Sequence, residues 1–506
     1  MTNAADLQRE NEQLKAQLSS QKDYIKQLEE ALIKTRQQQF GASSEKQSSE
    51  QLGLFNEAES ETNETLKTPE ETTSVKSHSR TKKSRLRIPE DIAREIIVYD
   101  LDESEKICPH DGSQLKLIGE DIHEQLDIIP AKLKAIQHTR KKYACPCCER
   151  YVVTAKKPKQ PIEKSVASPG LLAYIATNKY CDALPLYRQT ELFKRIGIEF
   201  NRTQLSSWMI KVGELIQPLI NVLQDHIRQQ SVIHMDETTV QVLNEPDKAA
   251  QAKSYMWVMA NYGNQPAIFY HYAPTRSATV PSLLLAGTAQ KVSVMVDGYE
   301  GYQKAVDEYG VVRLGCWAHA RRRFVQAQKL QPKGKSGKAD QALSLIQKLY
   351  AIERQLKDKP ADERYQIRQT QAKPVIDKLK KWLDKSLLHT PPKMELGKAL
   401  HYLQGQWERL IRYLDDGAYP IDNNPVENSI RPFTVGRKNW LFANSQAGAL
   451  ASANLYSLIE TAKANGLNPY DYLREVFANL PNAESVDSVE KLLPWNCDLT
   501  QLTASD

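Results

Sequence analysis

Three carboxylates stand at positions in this sequence where they could serve phosphoryl chemistry. Asp236 lies within the β-rich run HMDETTVQV, Asp297 ends the run SVMVD just before Gly298, and Glu427 lies in IDNNPVENSIRP. Phosphodiester chemistry with paired divalent ions needs about three carboxylates converging from separate elements, because Mg²⁺ prefers oxygen ligands and paired ions bind both the attacking and the leaving oxygen. We therefore expect these acids to hold two Mg²⁺ or Mn²⁺ ions.

Glu427 also has a purely structural interpretation. Asn424 suits the N-cap of a helix, Pro425 its first position and Glu427 its third, where a carboxylate can accept a hydrogen bond from a free backbone N–H. A lone aspartate in a strand is usually paired with backbone or an arginine, so only convergence of the acids favours a catalytic site. If Glu427 is not the third acid, Asp422 is the next candidate.

The elements that must position these acids follow a defined order. Closely spaced runs, SVIHMDETTVQV, SYMWVMANY and AIFYHY, predict three consecutive antiparallel strands. A helix from Ser277 to Leu285, the strand KVSVMVDGY, a short helix and the strand VVRLGCW come next. This β-β-β-α-β-α-β order is typical of a ribonuclease H-like domain, which we assign to residues 229–325 and 418–445. A helical insertion, 326–417, separates Glu427 from the aspartates in sequence only.

A cysteine cluster in residues 88–160 has the spacing of a metal site. Short loops bind a tetrahedral ion through pairs of ligands with two residues between them, and Cys145 and Cys148 form one such pair. The candidate Zn²⁺ ligands are Cys108, His110, Asp111, Cys145 and Cys148. From residue 132 to 159 there are nine Lys or Arg and one acid, which predicts a zinc-finger-like module with a basic face. A small packed fold that has lost its metal is the alternative.

A helical region, 161–228, contains a candidate helix-turn-helix. The sequence predicts two short helices around Gly197, with Asn201 and Gln204 as a capping pair. One face of the second helix is apolar: Leu205, Trp208, Met209, Val212 and Ile216. Its other face carries the candidate DNA contacts Arg202, Gln204 and Lys211. An ordinary helical bundle is the alternative.

The N-terminal residues 1–40 have a heptad pattern. Its two core positions are occupied by Leu7, Leu14 and Leu28, and by Leu18, Ile25 and Leu32. This predicts a coiled coil that joins two chains in parallel, although an amphipathic helix packed on its own chain is the alternative. Residues 41–87, acidic and then basic, are expected to be a disordered linker.

Length and composition bound the remaining possibilities. A chain of 506 residues is too long for one core, and 41% hydrophobic residues support globular packing. A helical region, 446–506, completes the expected multidomain α/β organisation. The net charge of +6 is modest, so an anionic partner must be argued from local basic clusters. With no signal peptide or membrane span in the sequence, we expect a cytoplasmic protein.

Several stretches are distinctive enough to carry a family resemblance. They are QQQFGASSEK, GEDIHEQLDIIPAKLK, KYACPCC, MDETTVQV, MVDGYEGY, GCWAHARRRF, and above all DNNPVENSIRPFTVGRKNWLFANSQAGA followed by SLIETAKANGLNPYDYL. Through them nearly the whole chain resembles the DDE transposases of the insertion-sequence-66 family. The resemblance implies a ribonuclease H-like catalytic domain whose acidic triad corresponds to Asp236, Asp297 and Glu427. It also implies a zinc-finger-like module, in which Asp111 stands where the pattern would have cysteine.

The resemblance extends to other residues near the acids. Cys316 and His319 are similar to a Cys-x-x-His motif of several such transposases, with packing at a strand end as the alternative. Nearby basic residues are expected to neutralise DNA phosphates, or else to form a solvated charged surface. They are Arg321, Arg322, Arg323, Arg431, Arg437 and Lys438.

The expected function is therefore that of a DNA transposase. It would bind the terminal inverted repeats of an insertion sequence and target DNA as a homo-oligomer, a dimer in the simplest case, with companion proteins of the element as the family suggests. Metal-dependent cleavage would free a 3′-hydroxyl for strand transfer. A non-catalytic DNA-binding regulator and a hydrolysis-only ribonuclease H-like nuclease are the alternatives.

Overall fold

The structure is a computed structural model of the 506-residue chain. It describes residues 4–40, short pieces of 94–126, and residues 132–144, 152–289, 291–331 and 337–497. The chain divides into a unit of residues 1–65 with 140–506 and a unit of residues 66–139. The predicted linker at 41–87 lies outside the described residues.

A single long helix, α1 (Ala4–Phe40), occupies the heptad segment. Two short antiparallel strands, β1 (Lys142–Ala144) and β2 (Val152–Thr154), then flank the second cysteine pair. Next come four helices: α2 (Pro169–Tyr180), α3 (Leu186–Arg195), α4 (Arg202–Leu215) and α5 (Gln217–Arg228).

A mixed sheet of six strands follows. Its strands are β3 (Val232–Asn244), β4 (Lys253–Asn261), β5 (Ala267–Ala273), β6 (Ser293–Val296), β7 (Val312–Gly315) and β8 (Ala443–Ser445). The order is β5-β4-β3-β6-β7, and β8 pairs with the far end of β3. The first three strands are antiparallel, whereas β3, β6 and β7 are parallel. The strands predicted from the closely spaced β-rich runs are all present.

Helices connect and extend this sheet. Two short ones, α6 (Thr279–Leu285) and α7 (Gln303–Tyr309), form the crossovers from β5 to β6 and from β6 to β7. Beyond β7 lie α8 (Trp317–Lys329), α9 (Lys338–Gln355), α10 (Ala361–Ile367), α11 (Lys373–Leu387) and α12 (Glu395–Ile411). The chain then forms α13 (Asn424–Trp440), α14 (Gln446–Ala464), α15 (Pro469–Asn479) and α16 (Val486–Glu490).

Two hydrophobic cores stabilise this arrangement. The larger core lies between the sheet, helices α2 to α5 and helices α13 to α15, while the second joins α8 to α9, α11 and α12. Helix α14 also covers the edge strand β5, because Ser457 and Thr461 accept hydrogen bonds from the backbone N–H groups of Tyr270 and Ile268. An edge strand satisfied in this way cannot pair with another chain.

The predicted helix pair is present as α3 and α4. Gly197 has φ +95° at the turn between them, a value that glycine adopts without a steric penalty. Asn201 caps α4, its side-chain oxygen accepting from the N–H of Gln204 at 2.7 Å. The predicted apolar face of α4 is buried, while Arg202 and Lys211 are exposed.

In the described part of the chain, every helix is too short or too polar to span a lipid bilayer.

Candidate active site

The two aspartates lie side by side on neighbouring parallel strands. Strand β3 pairs with β6 in a register that sets His234 opposite Met295. Asp236 and Asp297 each follow their member of this pair by two residues, so they occupy equivalent positions where β6 ends. Adjacent strands are about 4.8 Å apart, which brings the two carboxyl groups to the same edge of the sheet.

Local hydrogen bonds hold one oxygen of each aspartate. Asp236 Oδ1 accepts from the N–H of Glu237 at 2.8 Å, and Asp297 Oδ1 accepts from the N–H of Tyr299 at 2.9 Å. Both residues are half-buried, so water and ions can reach them. Each therefore presents its carboxylate in a restrained orientation at an accessible edge.

The third acid, Glu427, is near enough for its charge to act on Asp236. Burial raises the pKa of Asp236 well above its ordinary value, and the negative charges of Glu237, Glu427 and Asp297 raise it further. Like charges that disfavour one another's ionisation in this way are a common property of sites that bind cations. The fold thus brings together the three acids that the sequence singles out.

The start of helix α13 excludes the capping interpretation of Glu427. Asn423, not Asn424, is the N-cap, and its side chain makes no capping hydrogen bond. Glu427 is therefore one residue deeper than predicted, and its carboxylate contacts another helix instead. Arg322 of α8 donates to Glu427 Oε2 at 2.9 Å, and His319 Nδ1 lies 3.5 Å from Oε1.

Asp422 is a poorer candidate for the third acid. Its oxygens accept hydrogen bonds from Tyr350 Oη at 2.8 Å and from the N–H of Asn424 at 3.1 Å. Asp422 therefore satisfies the first turn of α13, the task that the sequence suggested for Glu427. Glu427 is left with a side chain that is 4% exposed and directed at α8.

Asn423 connects the strand of one acid to the helix of another. Its side-chain amide donates to the carbonyl of Met235 at 2.8 Å, and its oxygen lies 2.9 Å from His234 Nδ1. Its backbone N–H donates to Cys316 Sγ at 3.2 Å. Asn423 is fully buried, so it positions β3, α8 and α13 relative to one another and cannot contact DNA.

A fourth acid beside the site was missed by the sequence analysis. Glu237 accepts from Arg276 Nε at 2.7 Å and from Tyr302 Oη at 2.8 Å, and Arg276 stacks over the Tyr299 ring at 4.1 Å. Burial raises the pKa of Glu237, while Arg276 opposes the increase. No spacing signal could have revealed this pair, because Arg276 lies in a loop 39 residues from Glu237.

The predicted basic residues differ in their exposure and partners. Arg321 is buried, Arg322 pairs with Glu427, and Arg437 donates to the backbone carbonyl and hydroxyl of Thr239. Arg323 and Lys438 are exposed, although Arg323 also lies 5.2 Å from the Tyr402 ring. Arg431 is half-buried.

The predicted zinc ligands are mostly outside the described residues. Only His110 is described, and it is exposed. Cys108, Asp111, Cys145 and Cys148 are not among the described residues.

Comparison with known proteins covers most of the chain. The model described as "Transposase IS66 family" matches residues 164–451, and the "IS66 C-terminal element" matches 457–495. The "zinc-finger binding domain of transposase IS66" matches residues 105–149, and the "Transposase C of IS166 homeodomain" matches 27–97.

Relatives of similar length occur in Sinorhizobium fredii (strain NBRC 101917 / NGR234). Uncharacterized protein y4qI is 34% identical over 398 residues, which cover 76% of this chain and 72% of that protein. Uncharacterized protein y4jD is 32% identical, with 80% and 81% covered, and uncharacterized protein y4hP is 30% identical, with 84% and 79% covered.

Proposed function

The chain belongs to the IS66 transposase family, and we propose that it is a DDE-type transposase that binds the terminal inverted repeats of an insertion sequence, cleaves the DNA and transfers the freed strand to a target. The observation that carries the proposal is the cluster of Asp236 on β3, Asp297 directly after β6 and Glu427 on α13. A strand order of 5-4-3-6-7 supports a ribonuclease H-like catalytic domain.

The three acids fit a site for divalent cations. Their donors are carboxylate oxygens, which suit Mg²⁺ and Mn²⁺. Glu427 Oε1 is buried and has no hydrogen-bond partner among the described residues, so the site has an anionic oxygen left for a ligand. Bound in a pair, such ions would supply Lewis-acid stabilisation of the phosphate and a nucleophilic water at neutral pH.

The chain's own residues would orient that chemistry. Backbone N–H groups hold Asp236 and Asp297, and Arg322 holds Glu427, so each carboxylate keeps its direction before DNA arrives. Such preorganisation stabilises charge that develops in the transition state without further rearrangement.

DNA contacts would come from the basic residues left in solvent. Arg202 and Lys211 lie on the exposed face of α4, which suits a recognition helix in a major groove, with Gln204 at the half-buried start of the same helix. Arg323 and Lys438 are exposed on helices that reach the acidic cluster, where they would neutralise phosphates.

The N-terminal modules would add metal and partner binding. We propose that Cys108, Cys145 and Cys148, with His110 or Asp111, bind one Zn²⁺ and shape a DNA-contacting module, consistent with the zinc-finger match at 105–149. The exposed Leu14, Leu18, Ile25, Leu28 and Leu32 of α1 support a coiled coil between two chains. Companion proteins of the element would complete the assembly.

The substitution Glu427→Gln tests the catalytic assignment. We expect Mg²⁺-dependent cleavage and strand transfer on end-containing DNA to fall by at least roughly a hundredfold, as for Asp236→Asn and Asp297→Asn, because an anionic oxygen donor is lost. Binding to the terminal repeat should persist.

Glu460→Gln is the matched control. Glu460 is also a buried helical glutamate, and its Oε1 pairs with Lys463 Nζ at 2.9 Å, but it lies outside the acidic cluster. Near-normal cleavage by Glu427→Gln would refute the assignment of the third acid. A wild-type protein that binds the ends without cleaving would favour the regulator, and cleavage without joined products would favour the nuclease.

A further inference from the structure

A second set of metal-binding side chains adjoins the three carboxylates. Cys316 is the N-cap residue of α8, His319 lies in the first turn of that helix, and Glu427 lies in the first turn of α13. One donor atom from each residue, a sulfur, an imidazole nitrogen and a carboxylate oxygen, lies within 4.8 Å of the others. The Cys-x-x-His spacing across a helix start therefore meets a carboxylate from a different helix.

Two of the three donors are buried without a hydrogen bond. His319 Nδ1 and Glu427 Oε1 face each other at 3.5 Å, and neither has a hydrogen-bond partner among the described residues. A buried polar atom left in this state costs about 1–3 kcal/mol. Because the Glu427 side chain is only 4% exposed, its Oε1 cannot be satisfied by bulk water. A cation between the two atoms would satisfy both.

The sulfur is oriented towards the same point. Cys316 is 2% exposed, and the backbone N–H of Asn423 donates to its Sγ at 3.2 Å. A hydrogen bond donated to sulfur stabilises a thiolate, and a coordinating cation deprotonates a thiol outright. Asn423 is itself fixed by Met235 and His234, so this support is rigid.

The local charge also suits a cation. The negative charge of Asp297 acts on His319, and that of Asp236 acts on Arg322, the residue that pairs with Glu427. Arg322 engages Glu427 Oε2, which leaves Oε1 directed at Cys316 and His319. The two oxygens of Glu427 thus face different partners.

We propose that Cys316, His319 and Glu427 bind one Zn²⁺ ion, distinct from the finger site at Cys108 to Cys148. Thiolate and imidazole donors select zinc over magnesium, and three protein ligands leave a fourth position for water or a substrate oxygen. The inference rests on the proposed function in one respect: Glu427 Oε1, the same oxygen that is available to the site of Asp236 and Asp297, would be shared between that site and this ion, because Arg322 occupies Oε2.

Zinc content and cobalt spectra of the full-length chain test the proposal. Wild-type protein, Cys316→Ser and His319→Gln are purified after zinc-replete expression and analysed for zinc per chain. Each variant should lose one equivalent relative to wild type, because the finger keeps its own ligands. After exchange with Co²⁺, the wild-type minus Cys316→Ser difference spectrum should show a thiolate-to-cobalt charge-transfer band.

Cys181→Ser is the matched control. Cys181 is a half-buried thiol whose charged neighbours are Lys463, Glu460 and Asp182, so it is remote from the cluster. This variant should keep the zinc content and the cobalt spectrum of wild type. If Cys316→Ser gives no cooperative thermal transition, His319→Gln carries the test, because the His319 side chain is 23% exposed and more tolerant of substitution.

The outcomes separate this proposal from the proposed function. Unchanged zinc in both variants, or an equal loss in Cys181→Ser, overturns the site even if the protein cleaves DNA. Loss of one equivalent in Cys316→Ser and His319→Gln, with the Co²⁺ band lost from Cys316→Ser, supports the site even if wild-type protein fails to cleave DNA.

Discussion

Replacing Asn423 with alanine should disrupt both stability and the alignment of the acids. The Asn423 side chain lies in the core, where its amide donates to the Met235 carbonyl and its oxygen pairs with His234 Nδ1. Alanine lacks the side-chain amide, so the Met235 carbonyl and the His234 imidazole would each be buried without the hydrogen bond that Asn423 provides. Water is a poor replacement, because His234 is itself only 5% exposed.

The magnitude follows from the two groups left unpaired. Each buried donor or acceptor without a partner costs about 1–3 kcal/mol, so Asn423→Ala, which leaves two such groups, should lower the free energy of unfolding by about 2–6 kcal/mol. Asn423 also holds the start of α13 against β3. A shift of Glu427 by ~1 Å relative to Asp236 would reduce cleavage by about a hundredfold, even at temperatures where the variant is folded.

Urea unfolding and DNA cleavage, measured together, provide the assay. Asn424→Ala is the matched control, since Asn424 is half-buried and its side chain donates to Asp422 at 3.0 Å. The control should lose about 1 kcal/mol or less and keep most of its cleavage activity. Our reasoning is refuted if Asn423→Ala loses less than about 1 kcal/mol, or if both variants lose the same amount.

Three further predictions concern charge, packing and assembly. In EDTA at neutral pH, Asp236→Asn should unfold at a higher temperature than wild type, because a raised pKa means that ionised Asp236 destabilises the folded state. This gain in melting temperature should shrink as the pH falls through the raised pKa towards the ordinary aspartate value. A gain that grows on acidification would contradict the prediction. Gly213→Ala should cost about 1–3 kcal/mol, because the new Cβ would lie 2.5 Å from the Cβ of Ala451 on α14. Gly405→Ala, in an exposed helix interior where the new Cβ would meet nothing beyond its own helix within 4 Å, should stabilise the protein by about 0.5–1 kcal/mol in the same denaturation assay. Deleting residues 1–40 should lower the oligomer mass measured by light scattering, because α1 carries the exposed leucines and isoleucine of the heptad seam; an unchanged mass would mean that another surface joins the chains.

Local sequence was sufficient for the elements that carry the site. Short β-rich runs predicted each strand from β3 to β7. Strands β4 to β7 are buried almost throughout, and a strand covered on both faces leaves a continuous apolar run that can be read without knowledge of its partners. The same holds for α4, whose buried face and Asn201 cap both depend on residues within a few positions of one another. Asp297 could be placed because it follows a buried run directly.

Capping at α13 shows where local reasoning failed. A local pattern with Asn424, Pro425 and Glu427 predicted a cap, but the helix begins one residue earlier and Asp422 satisfies its first turn. Glu427 is directed instead at Arg322 on α8, 105 residues away in sequence. The direction of the Glu427 side chain therefore depends on a contact that the local sequence does not contain.

The sequence by itself determined which acids this protein has and which elements carry them. Only the tertiary structure decided that β3 and β6 pair in the register that sets Asp236 beside Asp297, that Glu427 faces Arg322 and His319, and that Asn423 is fully buried. These features depend on contacts between residues far apart in the chain. Such contacts leave no periodic signal, because their geometry arises from the packing of whole elements rather than from the order of neighbouring side chains.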